Sequence, residues 1–204
     1  EAWKKAYEAD KTSIFGGIVA ANREIDLETA QMLKPIFLEI VMAPSFAPDA
    51  LELLCTKKNL RVLKVDMSKD NTVRKQYVSM NGGMLVQDRD INTKPVSAEQ
   101  CVTEAKPTAE QLADLEFAWK IVKHVKSNAI VVAKNGMTYG VGAGQMNRIG
   151  SAEIALKQAQ ATLKEEGKDI MTEGLVLASD GFFPFNDCVA LAAEYGIKAI
   201  VQPR

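Results

Sequence analysis

The chain has 204 residues, 47 % of them hydrophobic and 25 % charged, with a formal net charge of −1. This is ordinary globular composition, enough for one large domain or two small ones with a sizeable core. The near-neutral balance supplies no bulk field for nucleic acid or an anionic membrane, and no apolar run reaches the ~20 residues of a membrane span.

The opening EAWKKAYEAD reads as charged helix rather than a secretory leader, and it lacks an initiator Met, as an internal or trimmed segment would. Gly16 to Asn22 (GGIVAAN) is an apolar run of strand length. Asp26 suits the N-cap of LETAQMLKPIFL, a helix that should stop before Pro35. Phe37 to Met42 is the next strand, with Glu39 inside its apolar run, either on an exposed face or turned toward a polar ligand. Helix over Asp49–Lys57 and strand over Leu60–Val65 follow, and residues 1–66 read as part of a first α/β lobe.

Residues 67–107 read as a polar connector. It holds a β-hairpin, Gln76–Met80 and Gly83–Gln87 around Asn81-Gly82. Thr108 and Gln111 fit a capping box for a long helix, whose Leu112, Leu115, Ala118, Trp119 and Val122 fall on one core face. His124, near its end, suits a helix-dipole role. Strands Ala129–Lys134 and Met137–Gly142 flank an Asn135-Gly136 turn. A helix from a Ser151 cap to Glu166, strand Leu175–Ala178, helix Asp187–Tyr195 and strand Lys198–Gln202 finish a second lobe, residues 108–204.

The three cysteines, Cys55, Cys101 and Cys188, are far apart and form no CxxC pair. They read as reduced thiols of a cytoplasmic protein. With His124 as the only histidine, no zinc site of familiar spacing can be assembled. A general base would have to be a carboxylate, a lysine or a residue outside this chain.

Two stretches carry chemistry. GVGAGQMNRIG fails the dinucleotide fingerprint, because Asn147 stands at the third glycine position, and it lacks the lysine of a P-loop. It is either a ligand loop, with the Arg148 guanidinium beside a helix N-terminus, or a glycine-rich bend in a sheet. SDGFFPFND places aromatics between Asp180 and Asp187 at a strand-to-helix elbow. Its phenylalanines either stack on a flat heterocycle or fill core, and Asp187 either accepts from an amino-heterocycle or occupies the first helix turn.

Four long segments, ADKTSIFGGIVAANREID, EIVMAPSF, SNAIVVAKNGMTYGVGAGQMNRIGSAEIAL and SDGFFPFNDCVALAAEYGIKAIVQP, stand in the order of one family. Over essentially its whole length the chain resembles the AICAR transformylase domain of the AICAR transformylase/IMP cyclohydrolase family of bifunctional purine biosynthesis proteins. The resemblance implies an α/β fold of two cytidine-deaminase-like lobes with mixed sheets and flanking helices. The deaminase zinc would be absent, as the missing HxE and PCxxC motifs agree. It implies formyl transfer from 10-formyltetrahydrofolate to the 5-amino group of AICAR, giving formyl-AICAR on the route to IMP. The active site would lie at the interface of a homodimer, with no nucleic-acid or membrane partner.

By motif, the resemblance assigns Asn128 to the transfer chemistry. It assigns Gly16, Glu39, Arg148 and Phe182 to AICAR, and Thr12, Phe15, Ile149 and Asp187 to folate. Val122, Ser127 and Asp180 would hold a monovalent cation, potassium. It further implies a catalytic Lys-His pair upstream of Glu1, a segment continuing beyond Pro203 and a separate cyclohydrolase domain. The Lys123-His124 pair is not that motif, because it lies on a helix. The isolated chain is therefore expected to be nearly inactive. The alternative is a non-catalytic module that kept only the nucleotide- and folate-binding shell.

Overall fold

The computed structural model describes residues 1–67, 74–91 and 94–203. The chain divides into two compact units, Glu1–Arg89 and Asp90–Arg204. The expected connector over 67–107 includes residues 68–73 and 92–93, which lie outside the described residues.

The first unit opens with helix α1 (Ala2–Ala9) and strand β1 (Gly17–Ala20). Helix α2 (Leu27–Leu33) starts where Asp26 accepts the Thr29 N–H at 2.8 Å, and it stops two residues before Pro35, as expected. Strand β2 (Leu38–Ala43), helix α3 (Pro48–Cys55), with proline at its first turn, and strand β3 (Arg61–Lys64) follow. The three strands form a parallel sheet in the order β1-β2-β3. Helices α2 and α3 pack together, and a core of Ile25, Ala30, Leu33, Leu38, Val41, Ala43, Ala50 and Leu54 is buried. At the start of β2 the register slips, Gly17 pairing with Leu38 and Ile18 with Ile40. Glu39 is the additional residue. A bulge of this kind re-aims one side chain without disturbing the buried alternation that follows.

The expected hairpin is present as β4 (Lys75–Met80) and β5 (Gly83–Asp88), antiparallel about Asn81-Gly82. All twelve of its strand residues are exposed.

In the second unit, a short 3-10 turn (Ala98–Gln100) precedes helix α4 (Ala109–Val122). The capping box forms as read: Thr108 Oγ1 accepts the Gln111 N–H at 3.2 Å and Gln111 Oε1 accepts the Thr108 N–H at 2.9 Å. Helix α4 ends at Val122, short of the expected length, and His124 lies in the turn beyond it, its N–H donating to the Ile121 carbonyl. Leu115, Ala118 and Val122 are buried, while Leu112 and Trp119 are only half-buried. Asp114 is buried instead, accepting the Gly136 N–H at 3.2 Å and so fastening the β6–β7 turn, where β6 is Ile130–Lys134 and β7 is Met137–Gly142. Asn135 and Gly136 both adopt the left-handed region, with φ of 52° and 67°, as a two-residue hairpin turn requires.

Helix α5 (Arg148–Glu165), the short helix α6 (Ile170–Glu173), strand β8 (Val176–Ser179), helix α7 (Asp187–Glu194) and strand β9 (Ala199–Val201) complete the unit. Helix α6 was not expected from the sequence, because four residues are too few to show a helical period. The sheet order is β7-β6-β8-β9, antiparallel except for the β8–β9 pair. Helix α4 covers one face through Val131, Ala133, Val176 and Ala178. Helix α5 covers the other, against β6 and β7, with α7 packed on α5. Among the described residues no helix is long and apolar enough to cross a membrane.

Two glycines of the chemistry-bearing loop serve this packing. A Cβ on Gly140 would lie 2.7 Å from the Ala155 carbonyl carbon, and one on Gly142 would lie 2.6 Å from that of Ser151. The strand can meet the helix backbone only where side chains are absent. The glycines of β7 thus belong to the sheet–helix contact.

Candidate functional site

In the first unit, Asp10 closes α1, and its Oδ1 accepts the N–H groups of Thr12, at 3.1 Å, and Ser13, at 2.8 Å. Burial pushes this carboxyl up, but the Ser13 and Thr12 hydrogen bonds hold it below its usual value. The turn presents Thr12 and Phe15 outward: Thr12 is exposed and Phe15 is 75 % exposed, its ring tilted against Phe37 with centroids 5.0 Å apart. Gly16, at φ 73°, donates its N–H to the Phe37 carbonyl at 2.8 Å. Only glycine takes that backbone without strain. Glu39, re-aimed by the bulge, meets Arg61 Nη1 at 2.7 Å. Phe37, Glu39, Lys58, Asn59, Leu60 and Arg61 line an open groove of about 390 Å³. Thr12, Phe15, Gly16 and Glu39 thus fall around the starts of β1 and β2. Asp10 escaped the sequence reading, although an Asp two residues before a Thr-Ser pair is the signal of a side-chain-capped turn.

In the second unit, the arrangement is tighter. The Ser127–Asn128 peptide is cis. Asn128 Nδ2 donates to the Gln145 carbonyl at 2.9 Å. That partner accepts only, so it fixes the amide's orientation and leaves Oδ1 and the second N–H for another group. Arg148 is the first residue of α5. The cap of that helix is Asn147, whose Oδ1 accepts the Gly150 N–H at 2.8 Å. Ser151 is therefore not the cap it was expected to be. It is fully buried one turn later, and its hydroxyl donates to the Asn128 carbonyl at 2.7 Å.

Arg148 Nη1 donates to Ser179 Oγ at 3.0 Å and pairs with Asp180 Oδ1. Asp180 also accepts the Ala129 N–H at 2.9 Å. Burial would raise its carboxyl, but hydrogen bonds from the Ser127 side chain, the Ala129 N–H and Arg148 together hold it below the usual range.

The elbow after β8 turns two of its three phenylalanine rings to solvent, Phe183 being half-buried. Phe182 and Phe185 are 61 % and 72 % exposed and are not core. Asp187 is exposed in the first turn of α7, its Oδ1 accepting the Cys188 N–H at 2.7 Å. Ile149 is half-buried beside Arg148.

The cation set fits less well. Val122 is buried, its carbonyl already accepting the Val125 N–H at 3.0 Å, and the Asp180 charge is matched by a guanidinium. Among the described residues no three His, Cys, Asp or Glu side chains are grouped as metal ligands would be. The supporting residues Gln145, Ser179 and Gly181 were not named from sequence, because a backbone carbonyl, a buried hydroxyl and a missing Cβ leave no motif.

The sequence model of the AICARFT/IMPCHase bienzyme family matches residues 1–158. The chain belongs to the AICARFT/IMPCHase bienzyme family. Among curated relatives, the bifunctional purine biosynthesis protein PurH of Anoxybacillus flavithermus is 57 % identical over 203 residues, covering 100 % of this chain and 38 % of the relative. PurH of Lactobacillus delbrueckii subsp. bulgaricus is 57 % identical over 205 residues, with the same coverage. PurH of Limosilactobacillus reuteri is 53 % identical over 204 residues, again 100 % and 38 %. The chain spans 38 % of the length of these bienzyme relatives.

Proposed function

We propose that this chain supplies part of the active site of an AICAR formyltransferase in purine biosynthesis. The enzyme would move a formyl group from 10-formyltetrahydrofolate to the 5-amino group of AICAR. A new N–C bond forms at the amine and the bond between the folate N10 and the formyl carbon breaks; the amine gives one proton to a base while N10 takes one up and leaves as tetrahydrofolate. Membership of the AICARFT/IMPCHase family supports the reaction. The observation that carries it onto residues is the orientation of the Asn128 amide by Gln145. That orientation leaves one N–H able to polarise the formyl carbonyl and Oδ1 able to orient the amine, a preorganised electrostatic contribution.

Around it, Arg148 and Phe182 are read as AICAR contacts and Ile149 and Asp187 as folate contacts. In the first unit Gly16 and Glu39 take AICAR, and Thr12 and Phe15 take folate. The exposed aromatic rings of Phe15 and Phe182 support this reading, since apolar rings left in water suit the flat faces of heterocycles. The resemblance puts the base in a Lys-His pair outside this chain, a cyclohydrolase activity in another domain and the complete site at a homodimer interface. It also reads residues 1–66 as part of one cytidine-deaminase-like lobe and residues 108–204 as the second. The mixed sheet of the second unit, with α4 and α5 on its two faces, supports that description.

The test is calorimetric titration of AICAR and of a folate analogue, with a formyl-transfer assay, on the full natural polypeptide carrying this chain. Binding of both ligands with turnover is expected. Binding without turnover would leave a binding module, and loss of neither ligand in Arg148→Ala or Asp187→Ala would overturn the assignment of those residues.

A further inference from the structure

The carboxylate of Asp180 joins two parts of the site. Its Oδ1 accepts both from Arg148 Nη1 and from the N–H of Ala129, the residue directly after Asn128. Its own N–H returns a bond to the Ala129 carbonyl at 3.2 Å. Ser179, fully buried, is the second acceptor for Arg148 Nη1, at 3.0 Å, and passes its hydroxyl hydrogen to the Gly181 carbonyl at 2.7 Å. Both Nη1 hydrogens are thereby committed. The Arg148 and Asp180 side chains are only 15 % and 16 % exposed, so this pair is largely shielded from water.

Arg148 Nε and Nη2 have no hydrogen-bond partner among the described residues, and no buried side-chain nitrogen or oxygen there lacks one. Those N–H groups therefore open outward. They form the forked edge of the guanidinium, the edge that binds paired acceptor oxygens. The fork has room because residue 181 is glycine: a Cβ there would lie 3.0 Å from the guanidinium carbon.

The geometry points to Asp180 as a positioning residue, one that aims the Nε–Nη2 edge of Arg148 at the nucleotide and locks it to the segment that leads from Asn128 into β6. This rests on the proposed function, in which Arg148 and Asn128 act on AICAR. It also replaces the cation role. A potassium ion on this carboxylate would sit beside a guanidinium in a shielded place, and like charges there repel more strongly than in bulk water.

The experiment is a double-mutant cycle in the full natural polypeptide, with Asp180→Asn and Arg148→Ala singly and together. AICAR affinity is measured by calorimetry in potassium and in choline salts of equal ionic strength, with circular dichroism to confirm folding. Asp180→Asn is expected to weaken AICAR by on the order of tenfold, and the double variant to bind no more weakly than Arg148→Ala alone. The loss should be the same in both salts. Unchanged AICAR affinity in Asp180→Asn, strictly additive losses, or a loss seen in potassium and absent in choline would each overturn the assignment. If Asp180→Asn does not fold, Ser179→Ala replaces it: a smaller loss that vanishes in the Arg148→Ala background supports the proposal, and no loss overturns it. A wild-type protein that binds no AICAR overturns the functional reading first and this assignment with it.

Discussion

Ser151 donates its hydroxyl to the backbone carbonyl of Asn128 at 2.7 Å, so a residue in the second turn of α5 holds the segment that enters β6. With the Gln145 carbonyl taking one N–H of the Asn128 amide, the main chain and side chain of that residue are fixed from two sides. If the amide works on the reacting groups, Asn128→Ala should lower kcat about 10²- to 10³-fold, with AICAR affinity little changed. Steady-state kinetics with a parallel AICAR titration would show this. An equal loss in affinity and turnover would mean that the side chain only binds.

Acid should expose the Asp180 cluster. Its carboxyl lies below the ordinary 3.8, because bonds from Ser127, Ala129 and Arg148 outweigh burial. The folded value is the lower one, so the stabilisation is complete above pH 3.8 and disappears as pH falls through the depressed value. Urea midpoints measured down to about pH 2 should fall more steeply for wild type than for Asp180→Asn, with the difference confined to the region below about pH 4. Parallel curves would refute it.

Gly142→Ala should destabilise the second unit by about 1–3 kcal/mol or more, because the added methyl meets the α5 backbone and neither element can move without repacking the core. Gly136→Ala meets nothing within 4 Å. Its cost is only that of a left-handed residue, about 1 kcal/mol. Thermal or urea unfolding of both variants would establish the order, and equal losses would contradict the packing argument.

The thiols should react in sequence. Hydrogen bonding with Thr103, and Lys106 nearby, hold the Cys101 thiol below its usual value. Cys188 is 2 % exposed, and burial, reinforced by Asp187, pushes its thiol up to about 11. At pH 8 only about one Cys188 in a thousand would be thiolate. Mass-resolved alkylation of the native protein should label Cys101 well before Cys188. Cys188 labelling first would overturn this account of the elbow.

Much of the architecture was legible because it is written in local chemistry. The Asp26 cap, the Pro35 stop, the Asn81-Gly82 and Asn135-Gly136 turns and the Thr108–Gln111 box each need only neighbouring residues. The start of α5 was misplaced because Asn147 and Ser151 are equally good caps in sequence, and only the depth of Ser151 against β7 separates them. The Glu39 bulge depends on how β1 and β2 register, a relation between distant residues that no window along the chain contains. For the same reason Arg148 and Asp180 were named from the sequence, but not their pairing, nor Ser179 and Gly181 beside them. A guanidinium after a glycine loop is visible, whereas the Ser179 hydroxyl and the missing Cβ of Gly181 matter only after β8 and α5 have met.

The position of β6 has a consequence for motion. It is bonded on both edges, by β7 and β8, and helices lie on both faces, so its amides have no short route to solvent. Hydrogen exchange should be slowest at Val131–Ala133 and should quicken abruptly two or three residues earlier, at Asn128. The β4–β5 hairpin, exposed on every strand residue, should exchange within the first time points, because an isolated pair of strands has little to keep it closed. Asn128 thus sits at the border between the stillest part of the second unit and open water.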